Sequence, residues 1–167
     1  MKKILVIGCS GAGKSTFSKK LSESLNLEII NLDRYYWKPN WIKPLESEWM
    51  EIVRNLVKKE SWIMEGNYSE TFHLRMPEAD TIILLDFSRL VCFFRVLKRR
   101  IVKNRADKIP GCREKIKFEL ARWILWRYPR VNRKNVLKTL EEFKGQKRII
   151  ILKSNKEIRR FLSEIKN

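Results

Sequence analysis

Short apolar blocks alternate along this chain with longer stretches in which apolar residues recur every third or fourth position. An apolar block bounded by polar residues indicates a buried strand, and a period of about 3.6 residues indicates an amphipathic helix. The blocks predict five strands: Lys3–Ile7, Glu28–Leu32, Trp62–Glu65, Thr81–Asp86 and Arg148–Leu152. Because strands and helical stretches alternate, we expect an α/β fold, with a five-stranded parallel sheet and helices on both faces.

The stretches between the strands have the length and periodicity of helices. They predict helices at Ser15–Leu25, Leu45–Lys59, Ser88–Asn104, Arg113–Arg127, Arg133–Phe143 and Lys156–Ile165, with a shorter one near Ser69–Arg75. Proline and glycine indicate breaks at Lys38-Pro39-Asn40, Lys43-Pro44 and Ile109-Pro110-Gly111. With 167 residues, the chain is expected to form one domain, 1–167.

The segment Gly8–Ser15 fits the phosphate-binding pattern G-x-x-x-x-G-K-[ST] and directly follows the apolar run Ile4–Ile7. Its glycines allow successive N–H groups to surround a polyphosphate, and the helix that follows directs its positive end at the anion. Lys14 supplies a charge for the β- and γ-phosphates, and the Ser15 hydroxyl is placed to bind Mg²⁺. The motif therefore predicts ATP and Mg²⁺ as cofactors. The residues expected to contact the nucleotide are Gly8, Cys9, Ser10, Gly11, Ala12, Gly13, Lys14, Ser15 and Thr16.

Positive charge is concentrated in one quarter of the chain. The net charge is +18, and the segment 95–134 alone holds fifteen Lys and Arg against three Asp and Glu, an excess of +12. Such a field attracts nucleotide phosphates, nucleic acid or an acidic membrane surface. No helix-turn-helix, zinc-finger or RNA-binding motif accompanies it, so any nucleic acid bound through 95–134 would be bound without sequence preference.

Other features exclude several classes of protein. The three cysteines lack C-x-x-C spacing and His73 is the only histidine, so neither a disulfide framework nor a zinc cluster is expected. Cys9 is interpreted as a small packing residue rather than as a redox centre. No apolar run has the roughly 18 residues of a membrane span, and the N-terminus lacks a signal-peptide pattern. We therefore expect a cytoplasmic protein.

Ligands of open parallel sheets bind at the carboxyl ends of the strands. Polar residues follow several of the predicted strands at that position: Asp33 and Arg34 after the second, and Gly66 and Asn67 after the third. Asp86 ends the fourth. These residues, together with the phosphate loop, are the predicted site, with Asp33, Arg34, Gly66 and Asn67 on its substrate side.

Four groups of residues carry a resemblance to a known family. They are Leu32-Asp33 with Trp37-Lys38-Pro39, the run Trp62–Ser69, Leu85-Asp86-Phe87, and Arg95–Arg100. With the phosphate loop, their order resembles the adenylate-kinase-like small-molecule kinases of the P-loop class. More narrowly, it is similar to the bacterial family labelled DNA topology modulation protein. The resemblance covers nearly the whole chain.

The resemblance implies roles for individual residues. Lys14 would act on the transferred phosphate, Asp86 would hold Mg²⁺ through water, and Asp33 would orient or deprotonate the attacking hydroxyl. Each acid has a structural alternative as a helix cap or turn residue. The basic segment 95–117 would form a lid over ATP. Within that lid the expected catalytic residues are Arg99, Arg100 and Arg105, with Arg95 next.

The acceptor side departs from well-known nucleotide kinases, because 35–43 is rich in aromatic residues. Tyr35, Tyr36, Trp37 and Trp41 could stack on a flat acceptor or could pack as a cover loop. The sequence thus predicts Mg²⁺-dependent phosphoryl transfer from ATP to an unidentified small molecule. The alternative is an ATP-binding, nucleic-acid-associated protein that influences DNA topology. Oligomeric state and acceptor are left open.

Overall fold

The computed structural model describes residues 1–99, 111–112 and 118–166, and five strands of this part form one parallel sheet. The strands are β1 (Lys3–Gly8), β2 (Ile29–Asn31), β3 (Trp62–Glu65), β4 (Thr81–Leu85) and β5 (Arg148–Leu152), in the order β2-β3-β1-β4-β5. Each pair of neighbours is parallel. The predicted fold class is confirmed.

Eight α-helices accompany the sheet in the described residues. They are α1 (Lys14–Leu25), α2 (Leu32–Tyr36), α3 (Glu46–Val57), α4 (Phe72–Glu78), α5 (Arg89–Arg99), α6 (Phe118–Arg122), α7 (Arg133–Glu142) and α8 (Asn155–Lys166). Short 3₁₀ turns occupy Pro39–Trp41 and Ser69–Thr71, and a π-helical segment spans Trp123–Asn132.

Two apolar cores form because successive strand residues point to opposite faces. Ile4 and Val6 of β1 lie in the core that α1, α5, the π-helical segment and α8 cover. Leu5 and Ile7 lie in the core beneath α3, α4 and α7. The central strand is therefore buried on both faces, which explains its uninterrupted apolar sequence.

Several predicted boundaries differ from the structure, and for two of them the local reason is visible. The second strand ends at Asn31, not at Leu32, because the Asn31 side chain accepts the backbone N–H of Asp33 at 3.0 Å and caps α2. The helix predicted to end at Arg127 instead continues, through a π-helical segment, up to α7. Pro129 lies inside the π-helical segment, and the Leu125 carbonyl four residues earlier accepts Arg89 Nη1 at 3.1 Å.

The predicted lid, 95–117, is described only in part. Residues 100–110 and 113–117, and the side chain of Arg99, lie outside the described residues, so the expectations for Arg99, Arg100 and Arg105 fall there as well. Gly111 has a φ of 72°, which suits the turn predicted at Ile109-Pro110-Gly111. No helix among the described residues is both long enough and apolar enough to cross a membrane.

Candidate active site

The phosphate loop connects β1 to α1 and packs tightly against two other elements. Gly8 and Gly11 have φ angles of 148° and 84°. A Cβ on Gly8 would lie 2.6 Å from the Leu85 carbonyl oxygen, and one on Gly11 would lie 2.2 Å from that of Cys92. A side chain at either position would therefore clash with the backbone at the end of β4 or in α5. The positive φ of both residues also favours glycine.

Lys14 folds back over the loop. Its Nζ donates to the carbonyls of Gly8 and Cys9 at 3.1 and 3.2 Å, and the Ala12 N–H donates to Cys9 at 3.0 Å. The side chains of Cys9 and Ala12 are buried, so these residues can meet a phosphate only through their backbones. Ser10, Gly13, Lys14 and Ser15 are partly exposed, and Thr16 is exposed. The loop thus has the open face that a polyphosphate needs.

Cys9 lies against Cys92 of α5. A hydrogen bond with Cys92, followed by burial, raises the pKa of the Cys9 thiol well above its ordinary value. The thiol is therefore protonated and a poor nucleophile. This environment supports the interpretation of Cys9 as a packing residue.

Among the arginines of the predicted lid, Arg95 is the one whose side chain the structure describes, and it contacts the loop. Its Nη1 donates to the Ala12 carbonyl at 3.1 Å, and its Nη2 donates to Asn155 Oδ1 at 2.8 Å. The guanidinium carbon lies 4.4 Å from the centre of the Phe87 ring. Arg95 consequently brings a positive charge to the back of the phosphate loop.

Asp86 forms a bidentate ion pair with Arg133, which the sequence did not single out. Arg133 Nε and Nη2 each donate to one Asp86 oxygen at 2.7 Å, and the Asp86 side chain is only 5% exposed. The hydrogen bond to Asp86 raises the pKa of Arg133. Both carboxylate oxygens of the predicted metal ligand are therefore engaged by a guanidinium.

Asp33 lies on α2 at the sheet's carboxyl edge and is exposed. The Tyr68 hydroxyl donates to Asp33 Oδ1 at 2.6 Å. Burial raises the pKa of Tyr68, and the negative charge of Asp33 raises it further, so the phenol keeps its proton and acts as a donor. Arg34, next on α2, is exposed as well.

Glu65 is a site residue that the sequence reasoning missed. It ends β3, is paired in register with Val6 of β1, and is 3% exposed. Asn31 Nδ2 donates to its Oε1 at 2.8 Å. The sequence-based prediction considered the residues that follow each strand, and Glu65 lies within one. The signal that could have identified it is an acid inside the buried block Trp62–Glu65.

The loop that contains Gly66 and Asn67 is held by Arg75 of α4, a residue fully buried and also missed. Arg75 Nη1 donates to the Gly66 carbonyl at 3.1 Å, and Nη2 donates to those of Asn67 and Tyr68 at 3.4 and 2.7 Å. Its Nε donates to Thr71 Oγ1 at 2.8 Å. Complete burial lowers the pKa of Arg75 to about 9, which leaves it charged at pH 7. In sequence, a single arginine on a short helix has no signal that separates it from a surface residue.

Several aromatic residues of 35–43 pack against other aromatic rings. The Tyr36 ring packs against Tyr68 and Trp49, with centroids 4.6 and 5.0 Å apart, and so belongs to the core side. Trp37 and Trp41 form an edge-to-face pair at 5.3 Å. The cover-loop alternative therefore holds for Tyr36.

The turn at Gly111–Cys112 contacts this cover loop. The Asn40 N–H donates to the Gly111 carbonyl at 3.1 Å, and the Cys112 thiol donates to the Lys38 carbonyl at 3.4 Å. Both contacts join the later part of the predicted lid to 38–40, on the side where the sequence predicts the acceptor.

The oxygen ligands available at this edge suit Mg²⁺. No group of three metal-binding His, Cys, Asp or Glu side chains occurs among the residues that can be described. Mg²⁺ at phosphate sites is typically held by one or two side chains together with phosphate oxygens and water, so no protein cage is needed. The Ser15 hydroxyl and the carboxylates of Asp33, Glu65 and Asp86 are donors of the required kind.

Comparison with known proteins gives a family and a fold. Residues 4–122 match the protein family described as an AAA domain. No curated protein sequence matches the chain. Among solved structures, shikimate kinase from Acinetobacter baumannii in complex with shikimate superposes with a TM-score of 0.61 at 16% identity, covering 99% of this chain and 90% of that one.

Two further structures share this architecture. A sugar kinase from Janibacter sp. has a TM-score of 0.54 at 18% identity, with 99% of this chain and 90% of that chain covered. A gluconokinase from Sinorhizobium meliloti has a TM-score of 0.54 at 19% identity, with 98% and 89% covered. These likenesses confirm the predicted P-loop fold of the nucleotide and shikimate kinase type.

Proposed function

The chain belongs to the AAA domain family, and we propose that it transfers the γ-phosphate of ATP to a small-molecule acceptor with the help of Mg²⁺. One observation carries the proposal. The phosphate loop after β1 and the Tyr68–Asp33 pair, which joins the loop after β3 to the helix after β2, lie at the same carboxyl edge of the sheet. Donor and acceptor chemistry therefore share one side of the molecule.

The donor half acts through position and charge. The backbone N–H groups of Gly8–Ser15 surround the phosphates, and Lys14 exchanges the Gly8 and Cys9 carbonyls for phosphate oxygens. ATP would supply the phosphoryl group, and bound Mg²⁺ would offset the negative charge of its oxygens. Arg95 adds positive charge behind the loop, and Arg99, Arg100 and Arg105 remain predicted contributors.

The acceptor half centres on Asp33. Its carboxylate accepts the proton of the attacking hydroxyl, while the hydrogen bond from Tyr68 fixes the orientation of the other oxygen. Arg34, Gly66 and Asn67 are proposed to contact the acceptor. Arg75 fixes the loop that carries Gly66 and Asn67.

The metal would be held by Ser15 and an acidic residue. Asp86 is the proposed acid and would hold Mg²⁺ through water; because Arg133 engages both its oxygens, this role would require Arg133 to release at least one of them. The released guanidinium would be available to the nucleotide phosphates, where charge develops during transfer. Glu65 is the alternative acid, since it ends the strand beside β1.

The narrower resemblance to the DNA topology modulation proteins remains a hypothesis that rests on the sequence. The excess of +12 in 95–134 favours nucleic-acid association as a second candidate function. A mobility-shift titration at several salt concentrations tests it, and unretarded DNA at low salt would remove it. The two cores on one sheet support the proposal that 1–167 is a single domain with its lid at 95–117.

An acceptor panel tests the proposed activity. ADP production with Mg²⁺ and ATP is measured in the presence of sugar acids, polyols, nucleosides and nucleoside monophosphates in turn. We expect at least one class to raise ADP production above the acceptor-free rate, and Lys14→Ala to abolish the increase. The proposal fails if the purified protein binds ATP but no class of acceptor raises the rate.

A further inference from the structure

Helix α5 exposes a line of large apolar side chains to solvent. Leu90, Phe94 and Leu97 are 57%, 64% and 37% exposed. Their spacing places them on one face of the helix, whereas Cys92 and Val96 on the opposite face are buried in the core. The exposed line is therefore not part of the buried core that α5 forms with the sheet.

The helical segment beside α5 also carries exposed apolar side chains. Arg89 Nη1 binds the Leu125 carbonyl at 3.1 Å, which fastens the start of α5 beside the π-helical segment. Phe118 and Trp126, on α6 and on that segment, are 80% and 49% exposed. We call Leu90, Phe94, Leu97, Phe118 and Trp126 the apolar ridge. Exposed apolar groups of this size mark contact surfaces.

Cations accompany the ridge. Five exposed basic residues share α5, α6 and the π-helical segment with it: Arg89, Lys98, Arg122, Arg127 and Arg130. Within the described parts of these elements, the one acidic residue is Glu119. The surface therefore combines exposed apolar side chains with positive charge.

We propose that the apolar ridge and its cations bind the surface of an anionic phospholipid bilayer. Leu, Phe and Trp side chains can enter the boundary between headgroups and acyl chains, while Lys and Arg pair with anionic headgroups. A second copy of this chain would bring five more cations against the same five, which opposes association. Nucleic acid would satisfy the cations but not the aliphatic side chains of Leu90 and Leu97. The bilayer fits both components, and the inference is independent of the proposed kinase activity.

Vesicle co-sedimentation tests the inference with the full-length protein. The probes are large vesicles of phosphatidylcholine alone and of phosphatidylcholine with phosphatidylglycerol. We expect binding to the anionic vesicles, weakened by salt, and little binding to the neutral ones. Phe94→Asp should lower the partition coefficient about tenfold or more, because it removes one apolar anchor and adds a negative charge. Leu45→Asp is the matched control, since Leu45 is 75% exposed and outside the ridge.

Fluorescence provides a second measurement. Anionic vesicles should shift the tryptophan emission of the wild-type protein to the blue, and the shift should be smaller in Trp126→Phe. Thermal melting confirms that each variant folds. The inference is overturned if anionic vesicles leave the protein in solution, or if Leu45→Asp weakens binding as much as Phe94→Asp. It is also overturned if neutral vesicles bind the protein equally well. The same holds if Phe94→Asp instead converts a dimer of the protein into monomers or abolishes its binding to DNA.

Discussion

The Tyr68 hydroxyl donates to Asp33 Oδ1 across 2.6 Å and so links the loop after β3 to helix α2. Tyr68→Phe removes this one hydrogen bond and leaves the ring packed against Tyr36 and Trp49. We expect kcat for acceptor phosphorylation to fall about tenfold, the equivalent of roughly 1.4 kcal/mol, with ATP affinity unchanged. Steady-state kinetics and ATP calorimetry check this. An unchanged kcat would show that the Tyr68 hydroxyl does not contribute to the acceptor site.

The ion pair between Arg133 and Asp86 predicts that substitutions of its two members differ in their effect on metal binding. If Asp86 receives Mg²⁺ after Arg133 leaves, Asp86→Asn should weaken the Mg²⁺ dependence of ATP binding and Arg133→Met should not. Arg133→Met should lower the free energy of unfolding by about 2 kcal/mol, because it leaves the buried Asp86 carboxylate without its guanidinium. Calorimetry over a Mg²⁺ series and urea unfolding provide the data. Should Glu65→Gln disturb Mg²⁺ binding while Asp86→Asn does not, Glu65 is the ligand.

The hydrogen bonds of Arg75 predict that even its replacement by lysine lowers the stability of the fold. Lysine cannot reproduce the fork that serves Thr71, Gly66, Asn67 and Tyr68 together, so Arg75→Lys should cost about 2 kcal/mol or more of unfolding free energy. Arg160→Lys is the matched control, because Arg160 is exposed and makes one surface ion pair; its cost should be near zero. Equal urea midpoints for the two variants would contradict the role given to Arg75.

Asp80 lies at the end of the sheet opposite the candidate site, and its hydrogen bonds predict that the stability of the fold depends on pH. Burial raises its pKa, but hydrogen bonds from the Lys3 N–H, the Thr81 hydroxyl and the Lys2 N–H outweigh burial and hold the pKa below 3.8. A carboxyl whose pKa is lower in the folded state stabilises the fold above its unfolded value and loses that contribution as the pH falls through its folded value. Because Asp80 is exposed and water screens its interactions, Asp80→Asn should cost at most about 1 kcal/mol near pH 7, with a smaller difference from wild type once the pH falls below the ordinary carboxyl pKa. Urea unfolding between pH 2 and pH 7 measures it, and a difference that grows toward low pH would contradict the assignment.

The sheet and the donor loop were predictable because each depends on local pattern. The buried blocks of β1, β3 and β4 and the motif Gly8–Ser15 occupy positions that sequence alone locates. Strand ends were less certain: whether Leu32 extends β2 or begins α2 depends on a side-chain cap by Asn31.

The supporting residues of the site could not be predicted in the same way. Arg133 meets Asp86 across 47 positions of sequence, and Tyr68 meets Asp33 across 35. Arg75 is buried although a charged residue on a short helix is usually exposed. These contacts depend on how helices pack over the sheet, which periodicity does not specify.

Transfer of labelled phosphate from γ-labelled ATP to an acceptor is the most direct test of a kinase site built from the phosphate loop and Asp33. The measurement compares the wild-type protein with Lys14→Ala and Asp33→Asn, and ATP affinity is determined for each. We expect labelled product from the wild-type protein only, with ATP binding lost in Lys14→Ala and retained in Asp33→Asn. Undiminished transfer by Asp33→Asn, or by Lys14→Ala, would contradict it.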